Sequence, residues 1–190
     1  MTKAPLLIAL CFCLAIGCKK KDEPANILCT GNGTEAFWPL ALGNSWHYTS
    51  GETDSIVAHW DSLYVIKITT PNNSELDTLR VTANGDIYLK SPGYAENLFL
   101  PADLPLGKKW TGSYPAQNMS DTLTVVSVNT VITTADCLYT GCVKVEVKWQ
   151  YSASTATDYR YYKKGIGGVM FQVHSGSNTV ETGLNGIKLN

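Results

Sequence analysis

Histidine is scarce in this chain, with three in 190 residues, and His47, His59 and His174 stand far apart. No His-Glu-x-x-His pair, P-loop, Rossmann glycine pattern or EF-hand loop occurs, so no metal or nucleotide site is expected from motifs. A redox Cys-x-x-Cys is also absent, and the scattered histidines do not complete zinc-ligand spacing with the cysteines. Charge of one sign is lacking too: 15 basic against 16 acidic side chains leave a net charge of -1. That removes the electrostatic footprint of a nucleic-acid binder. No apolar stretch reaches the roughly 20 residues that span a bilayer. With 44% apolar residues the chain can nevertheless bury a substantial core, and one domain is the natural count.

The start of the chain reads as an address. Lys3 precedes a short apolar stretch, Ala4 to Gly17, in the manner of a secretory signal. Its end, Leu14-Ala15-Ile16-Gly17-Cys18, resembles a lipobox, after which bacterial lipoproteins are cleaved and lipidated on the new first cysteine, here Cys18. Cleavage there removes one lysine and leaves 173 residues with a net charge of -2. Acyl chains on Cys18 would hold the protein on a membrane, each buried CH₂ contributing about 0.8 kcal/mol. The charged run Lys19 to Glu23 and Pro24 then reads as a solvated tether. Its Lys-Asp-Glu portion resembles short signals that send some lipoproteins of two-membrane bacteria to the cell surface. The expected layout is signal peptide 1–17, lipidated tether 18–36 and one β domain 37–190, attached to the outer membrane on its periplasmic or cell-surface face.

From Phe37 onward the apolar residues alternate with period two. Val143, Val145, Val147, Trp149 and Tyr151 share one face of a strand whose other face carries Lys144, Glu146, Lys148 and Gln150. Similar strands are expected at Leu63 to Thr69, Leu76 to Thr82, Ile87 to Lys90, Thr122 to Val128, Tyr159 to Lys163, Val169 to His174 and Thr179 to Leu184. A three-residue loop, Ala83-Asn84-Gly85 with Gly85 left-handed, would pair Val81 with Ile87 and Leu79 with Leu89. The pattern slips phase between Val125 and Val126, which predicts a bulge there. About ten short strands point to an all-β protein, a curved and mainly antiparallel sheet forming a half-barrel or open barrel.

Leu40-Ala41-Leu42-Gly43-Asn44-Ser45-Trp46 is echoed by Leu104-Pro105-Leu106-Gly107-Lys108-Lys109-Trp110. In the structural reading, Leu packs inward, Gly makes a tight turn, and Trp opens the next strand and plugs the core. In the functional reading, Trp46 and Trp110 are stacking platforms for a flat ligand. A second recurrence, Asp-Ser/Thr-aliphatic, resembles an acceptor for bacterial O-glycosylation and marks Ser55, Ser62, Thr78 and Thr122. Its alternative is that Asp and Ser/Thr begin strands after turns.

Of six cysteines, Cys29, Cys137 and Cys142 remain to the exported fold. Cys137 and Cys142 are spaced to close a disulfide across a hairpin. The alternative is a buried Cys142 thiol, with Cys137 exposed or bridged to Cys29. Gly43-Asn44-Ser45-Trp46-His47 begins like a nucleophile elbow, but His47 replaces the closing glycine and a strand follows instead of a helix. Glu96, Asp103 and Glu146 have nothing to distinguish them as an acid and base pair.

Three segments taken together resemble a group of bacterial lipoproteins of unassigned activity. Phe37-Trp38-Pro39-Leu40-Ala41-Leu42-Gly43-Asn44-Ser45-Trp46-His47-Tyr48 is similar to their opening FPLxxGNxWxY. Tyr139-Thr140-Gly141-Cys142-Val143-Lys144-Val145 is similar to a central Y/FxxCxKV, and Tyr161 to Val169 to a late YxKGxGxV. The resemblance implies a curved antiparallel sheet akin to the half-barrels of lipoprotein carriers, and implies no reaction. The expectation is therefore a membrane-anchored, non-enzymatic lipoprotein without cofactor or metal that binds or carries a small ligand, or supports an envelope protein. The alternative is a surface carbohydrate-binding protein or glycoside-type hydrolase that uses Trp46, Trp60, Trp110 or Trp149 as stacking platforms.

Overall fold

The computed structural model describes residues 29–31, 33–135, 137–175 and 178–190. Cys18 and the expected signal peptide lie outside the described residues. The N-terminal half contributes β1 (Ser45–Tyr48), β2 (Thr53–Trp60), β3 (Leu63–Thr69), β4 (Ser74–Val81), β5 (Ile87–Lys90) and β6 (Asn97–Leu100). The C-terminal half contributes β7 (Lys109–Tyr114), β8 (Met119–Thr133), β9 (Leu138–Gln150), β10 (Thr155–Lys163), β11 (Gly167–Ser175) and β12 (Asn178–Lys188). Among the described residues these form one antiparallel sheet in the order β6-β5-β4-β3-β2-β1-β12-β11-β10-β9-β8-β7. The strand count is thus twelve instead of about ten, and the all-β, curved-sheet expectation holds.

Each half is a six-strand meander, and the two meet where β1 pairs with β12. The sheet curls until its outer strands face each other. There the Asn97 side chain substitutes for a partner backbone: its amide donates to the Ser113 carbonyl at 3.0 Å and accepts from the Ser113 N–H at 2.9 Å. This closes the seam between β6 and β7 with two hydrogen bonds that ladder pairing would otherwise supply.

The repeated Leu-x-Leu-Gly-x-x-Trp opens each half and makes the same turn twice. Gly43 and Gly107 have φ of 83° and 82°, a region glycine enters without steric cost. Asn44 N–H donates to Ala41 at 3.0 Å and Lys108 N–H to Pro105 at 3.0 Å, closing the two turns. The glycine N–H groups then dock on the following strands, Gly43 to Ile56 and Gly107 to Val125, both at 2.9 Å. Leu40 and Leu104 pack inward, as expected of the structural reading, whereas Leu42 and Leu106 are exposed.

The local expectations for register also hold. Leu79 pairs with Leu89 and Val81 with Ile87, around a loop closed by Thr82 N–H to Asp86 at 2.9 Å. The ladder between β8 and β9 shifts between Val125 and Ser127, where the bulge was expected. On β9, Val143, Val145 and Val147 are buried inside while Lys144, Glu146 and Lys148 point outward. On this strand the apolar side faces in and the charged side out, the reverse of the alternation in a strand of a transmembrane barrel.

One end of the barrel is solid. Trp46 is completely buried and donates its indole N–H to the Ile166 carbonyl at 2.5 Å. Trp38 packs edge-on against Trp46 at 5.5 Å and against Phe99 at 5.1 Å, so the segment before β1 plugs the barrel with rings. Gly167, the first residue of β11, has φ of 109°, and a methyl group there would lie 3.1 Å from Trp46 Nε1. Close approach of backbone to indole therefore requires glycine at this position.

Two expectations are corrected here. The disulfide joins Cys29 to Cys137, with Cα atoms 5.5 Å apart, and Cys142 is free and buried. The Cys29 N–H docks on the Leu138 carbonyl, which sets Cys29 beside Cys137, while the buried Cys142 thiol donates instead to the Tyr139 carbonyl at 3.7 Å. Burial pushes the thiol up to about 11, so it stays protonated and unreactive at neutral pH. The bridge also shows that the folded part begins before Phe37. Cys29 N–H donates to Leu138 at 3.0 Å and Ala36 accepts from Gly165 at 2.8 Å, so residues assigned to the tether strap the closed end.

Candidate functional site

In a meander, all even-numbered strands run the same way, and here they start at the end opposite the plug. Four of the six carry an inward-facing aspartate close to that end: Asp54 on β2, Asp77 on β4, Asp121 on β8 and Asp158 on β10. Three of these begin the recurring tripeptide. Asp54, Asp77 and Asp121 point inward near the mouth, and Ile56, Leu79 and Leu123 point inward one rung deeper. The intervening hydroxyl residues turn outward: Ser55 and Thr78 are half-buried and Thr122 is exposed. Alternation alone accounts for this pattern. The fourth copy, Asp61-Ser62-Leu63, is an exposed turn between β2 and β3, with Asp61 at φ 49°.

The mouth opens into a cavity of ≈ 480 Å³. Ile66, Ile68, Leu79, Leu89 and Phe99 form an apolar wall, and Trp38 forms part of the floor. Glu52, Asp54, Asp158 and Arg160 supply its charged groups. A second recess of ≈ 280 Å³ lies beside the β6–β7 seam and shares Leu89, Phe99 and Arg160 with the first.

The charged groups differ in how well they are satisfied. Asp158 accepts the Trp149 indole N–H at 2.6 Å and the His174 backbone N–H at 3.3 Å. Asp121 accepts from Gly112 N–H at 2.6 Å and from the Tyr114 hydroxyl at 3.4 Å. Asp77 accepts from Ser91 at 2.9 Å through Oδ2, while its buried Oδ1 has no partner. Asp54 is 6% exposed, and its Oδ1 is likewise buried without a partner. Desolvation pushes the Asp54 carboxyl up to about 7, with Glu52 and Asp77 adding repulsion. Burial also raises Glu52, assisted by Glu75, and raises Asp77 against the lowering effect of Ser91. Arg160 lies over the Trp149 ring at 5.9 Å and forms no ion pair with a described carboxylate. It lowers the proton affinity of Tyr162, whose hydroxyl burial otherwise raises.

Trp46 and Trp110 are 0% and 6% exposed, so neither ring presents a face to a ligand. Their role is to fill the core, because each opens an inward-facing strand position after the glycine turn. Glu96 is paired with Arg80 at 2.6 Å, Asp103 with Lys108 at 3.6 Å and Glu146 with Lys148 at 3.1 Å, and none of the three acids lines the chamber. His47 bonds Thr53 and His59 bonds the Asp61 carbonyl, each at the surface. Among the described residues no group of three His, Cys, Asp or Glu side chains is arranged to hold a metal ion. Glu52, Asp54, Asp77 and Arg160 were not foreseen as site residues; the shared Asp-x-aliphatic parity on β2, β4 and β8 was the available signal.

The fold and mouth together define a plugged meander barrel with an internal chamber. No protein-family model matches the chain, and no curated protein matches it. Among solved structures, a Bacteroides fragilis protein described as exported, with a YmcC-like fold, aligns at a TM-score of 0.50 and 14% identity, over 81% of this chain and 99% of its own. A Parabacteroides distasonis protein described as a lipoprotein aligns at 0.49 and 15% identity, over 80% and 98%. The first of these likenesses shows a shared fold.

Proposed function

We propose that this protein is an exported, lipid-anchored and non-enzymatic binding protein whose open barrel end holds a small amphipathic ligand. The observation that carries the reading is the ≈ 480 Å³ chamber, apolar on its wall and charged at its mouth, in a barrel packed solid at the other end. Chambers of this kind take an apolar body and orient it through a few polar groups. A purely structural module would gain nothing from leaving buried carboxylate oxygens unpaired. Export and lipidation at Cys18 rest on the lipobox-like sequence, and the exported description of the B. fragilis protein supports export. The anchor lies on the outer membrane, with the barrel on its periplasmic or cell-surface face. Trp46 and Trp110 are buried and cannot serve the carbohydrate-stacking alternative, whereas Trp60 is 59% exposed on the outside of β2 and Trp149 lines the chamber beside Arg160.

The test uses N-phenyl-1-naphthylamine, a neutral fluorescent probe, with wild type and Ile68→Trp, which fills the chamber. Saturable one-to-one binding by wild type and at least tenfold weaker binding by the variant are expected. Equal binding by both, or none by wild type, would overturn the chamber reading. Loss of the lipid mass from a Cys18→Ser protein checks the anchor independently.

A further inference from the structure

We infer that the chamber is built for an organic cation, an alkyl- or arylammonium group whose charge sits against Asp54 and Glu52 while its apolar body lies along β3, β4 and β5. The inference rests on the chamber reading and adds the sign of the ligand's charge.

Asp54 is more than nine-tenths buried and lines the chamber, and no donor among the described residues reaches its Oδ1. A buried carboxylate oxygen without a donor is rare and costly, so a donor from outside the chain is its natural complement. The surroundings decide which donor. Asp54 is faced by Tyr48 from β1, Glu52 from the turn before β2 and Asp77 from β4. Across the chamber stand Asp158 and Arg160 on β10. Asp158 is engaged by Trp149 and His174, and Arg160 lies against Trp149 and Tyr162. The side of the chamber formed by β2 and β4 therefore carries several carboxyl groups, and none of Glu52, Asp54 or Asp77 forms an ion pair with a described residue. An ammonium group brings both the missing N–H donors and the compensating charge.

A metal ion fits less well, since no three ligating side chains converge among the described residues. The adjoining wall of Ile66, Ile68, Leu79, Leu89 and Phe99 matches a hydrocarbon body instead. Binding would ionise Asp54, so affinity should rise with pH.

Octylammonium, octanoate and octanol are the probes, titrated calorimetrically into the full exported domain at pH 8 and pH 5. Octylammonium should bind at least tenfold tighter than octanol at pH 8, and roughly a hundredfold weaker at pH 5 than at pH 8. Asp54→Asn, a near-isosteric change, should remove most of that pH dependence and, with it, the preference for octylammonium over octanol at pH 8. Octanoate binding as tightly as octylammonium would overturn the cation inference while the chamber reading stands. Competition by equimolar calcium would also overturn it, by identifying a metal cluster. No binding of any of the three would overturn both readings.

Discussion

Replacing Asp54 by Asn should make the protein more stable, and by an amount that depends on pH. Asp54 is raised from 3.8 to about 7 in the folded state, chiefly by desolvation. The folded chain therefore holds this proton more tightly than the unfolded chain does. Below the unfolded value both states are protonated and the side chain carries no penalty. As pH rises from about 4 through about 7, the unfolded state ionises first and stability is lost. Three pKa units correspond to about 4 kcal/mol. Asparagine has nearly the same shape and no charge to desolvate. The difference in melting temperature between Asp54→Asn and wild type should be small at pH 4 and grow by about 10 °C by pH 8, at 2–4 °C per kcal/mol for a chain of this size. Glu52 and Asp77 are raised mainly by their own burial, so their contributions remain in both proteins and cancel in the comparison. Differential scanning calorimetry at several pH values without ligand measures the difference. A gap that stays constant from pH 4 to pH 8 would refute the account of Asp54 as a desolvated, unpaired acid.

Three further outcomes follow from the same structure. Cys29→Ser or Cys137→Ser should each cost about 2–5 kcal/mol because the bridge closes a separation of 108 residues, whereas Cys142 should resist alkylation in the native protein; chemical denaturation and mass mapping check both. Gly167→Ala should lose about 1–3 kcal/mol, because its backbone sits at φ 109° and an added methyl would press on the Trp46 indole at 3.1 Å, while Gly33→Ala, left-handed but with nothing nearby, should lose less. Asn97→Ala removes both hydrogen bonds across the β6–β7 seam, so amide exchange at Ser113 should quicken while the β1–β12 junction stays protected.

What could be read from the sequence is what depends on neighbours along the chain. The Gly85 loop, its register and the Val125 bulge follow from period-two alternation and from the backbone freedom of one glycine. The paired Leu-x-Leu-Gly-x-x-Trp turns were legible for the same reason. β2 was not foreseen because its inward positions begin with Asp54 and its alternation breaks between Ile56 and Ala58, where its ladder with β3 shifts. The Cys29–Cys137 bridge joins an aperiodic segment to a hairpin far along the chain, a choice set by how the strap crosses the closed end. The acidic mouth was hidden for a different reason. An Asp that starts a strand reads as a solvated turn residue, and only the common direction of the even strands turns Asp54, Asp77, Asp121 and Asp158 toward one interior.

Methyl NMR of the exported domain during titration with octylammonium locates the ligand residue by residue. Saturable shifts are expected at Ile66, Ile68, Leu79 and Leu89, with the exposed Val126, Val128 and Val131 on β8 unmoved. Shifts confined to those β8 valines, or no saturable shift in the chamber, would contradict the chamber reading.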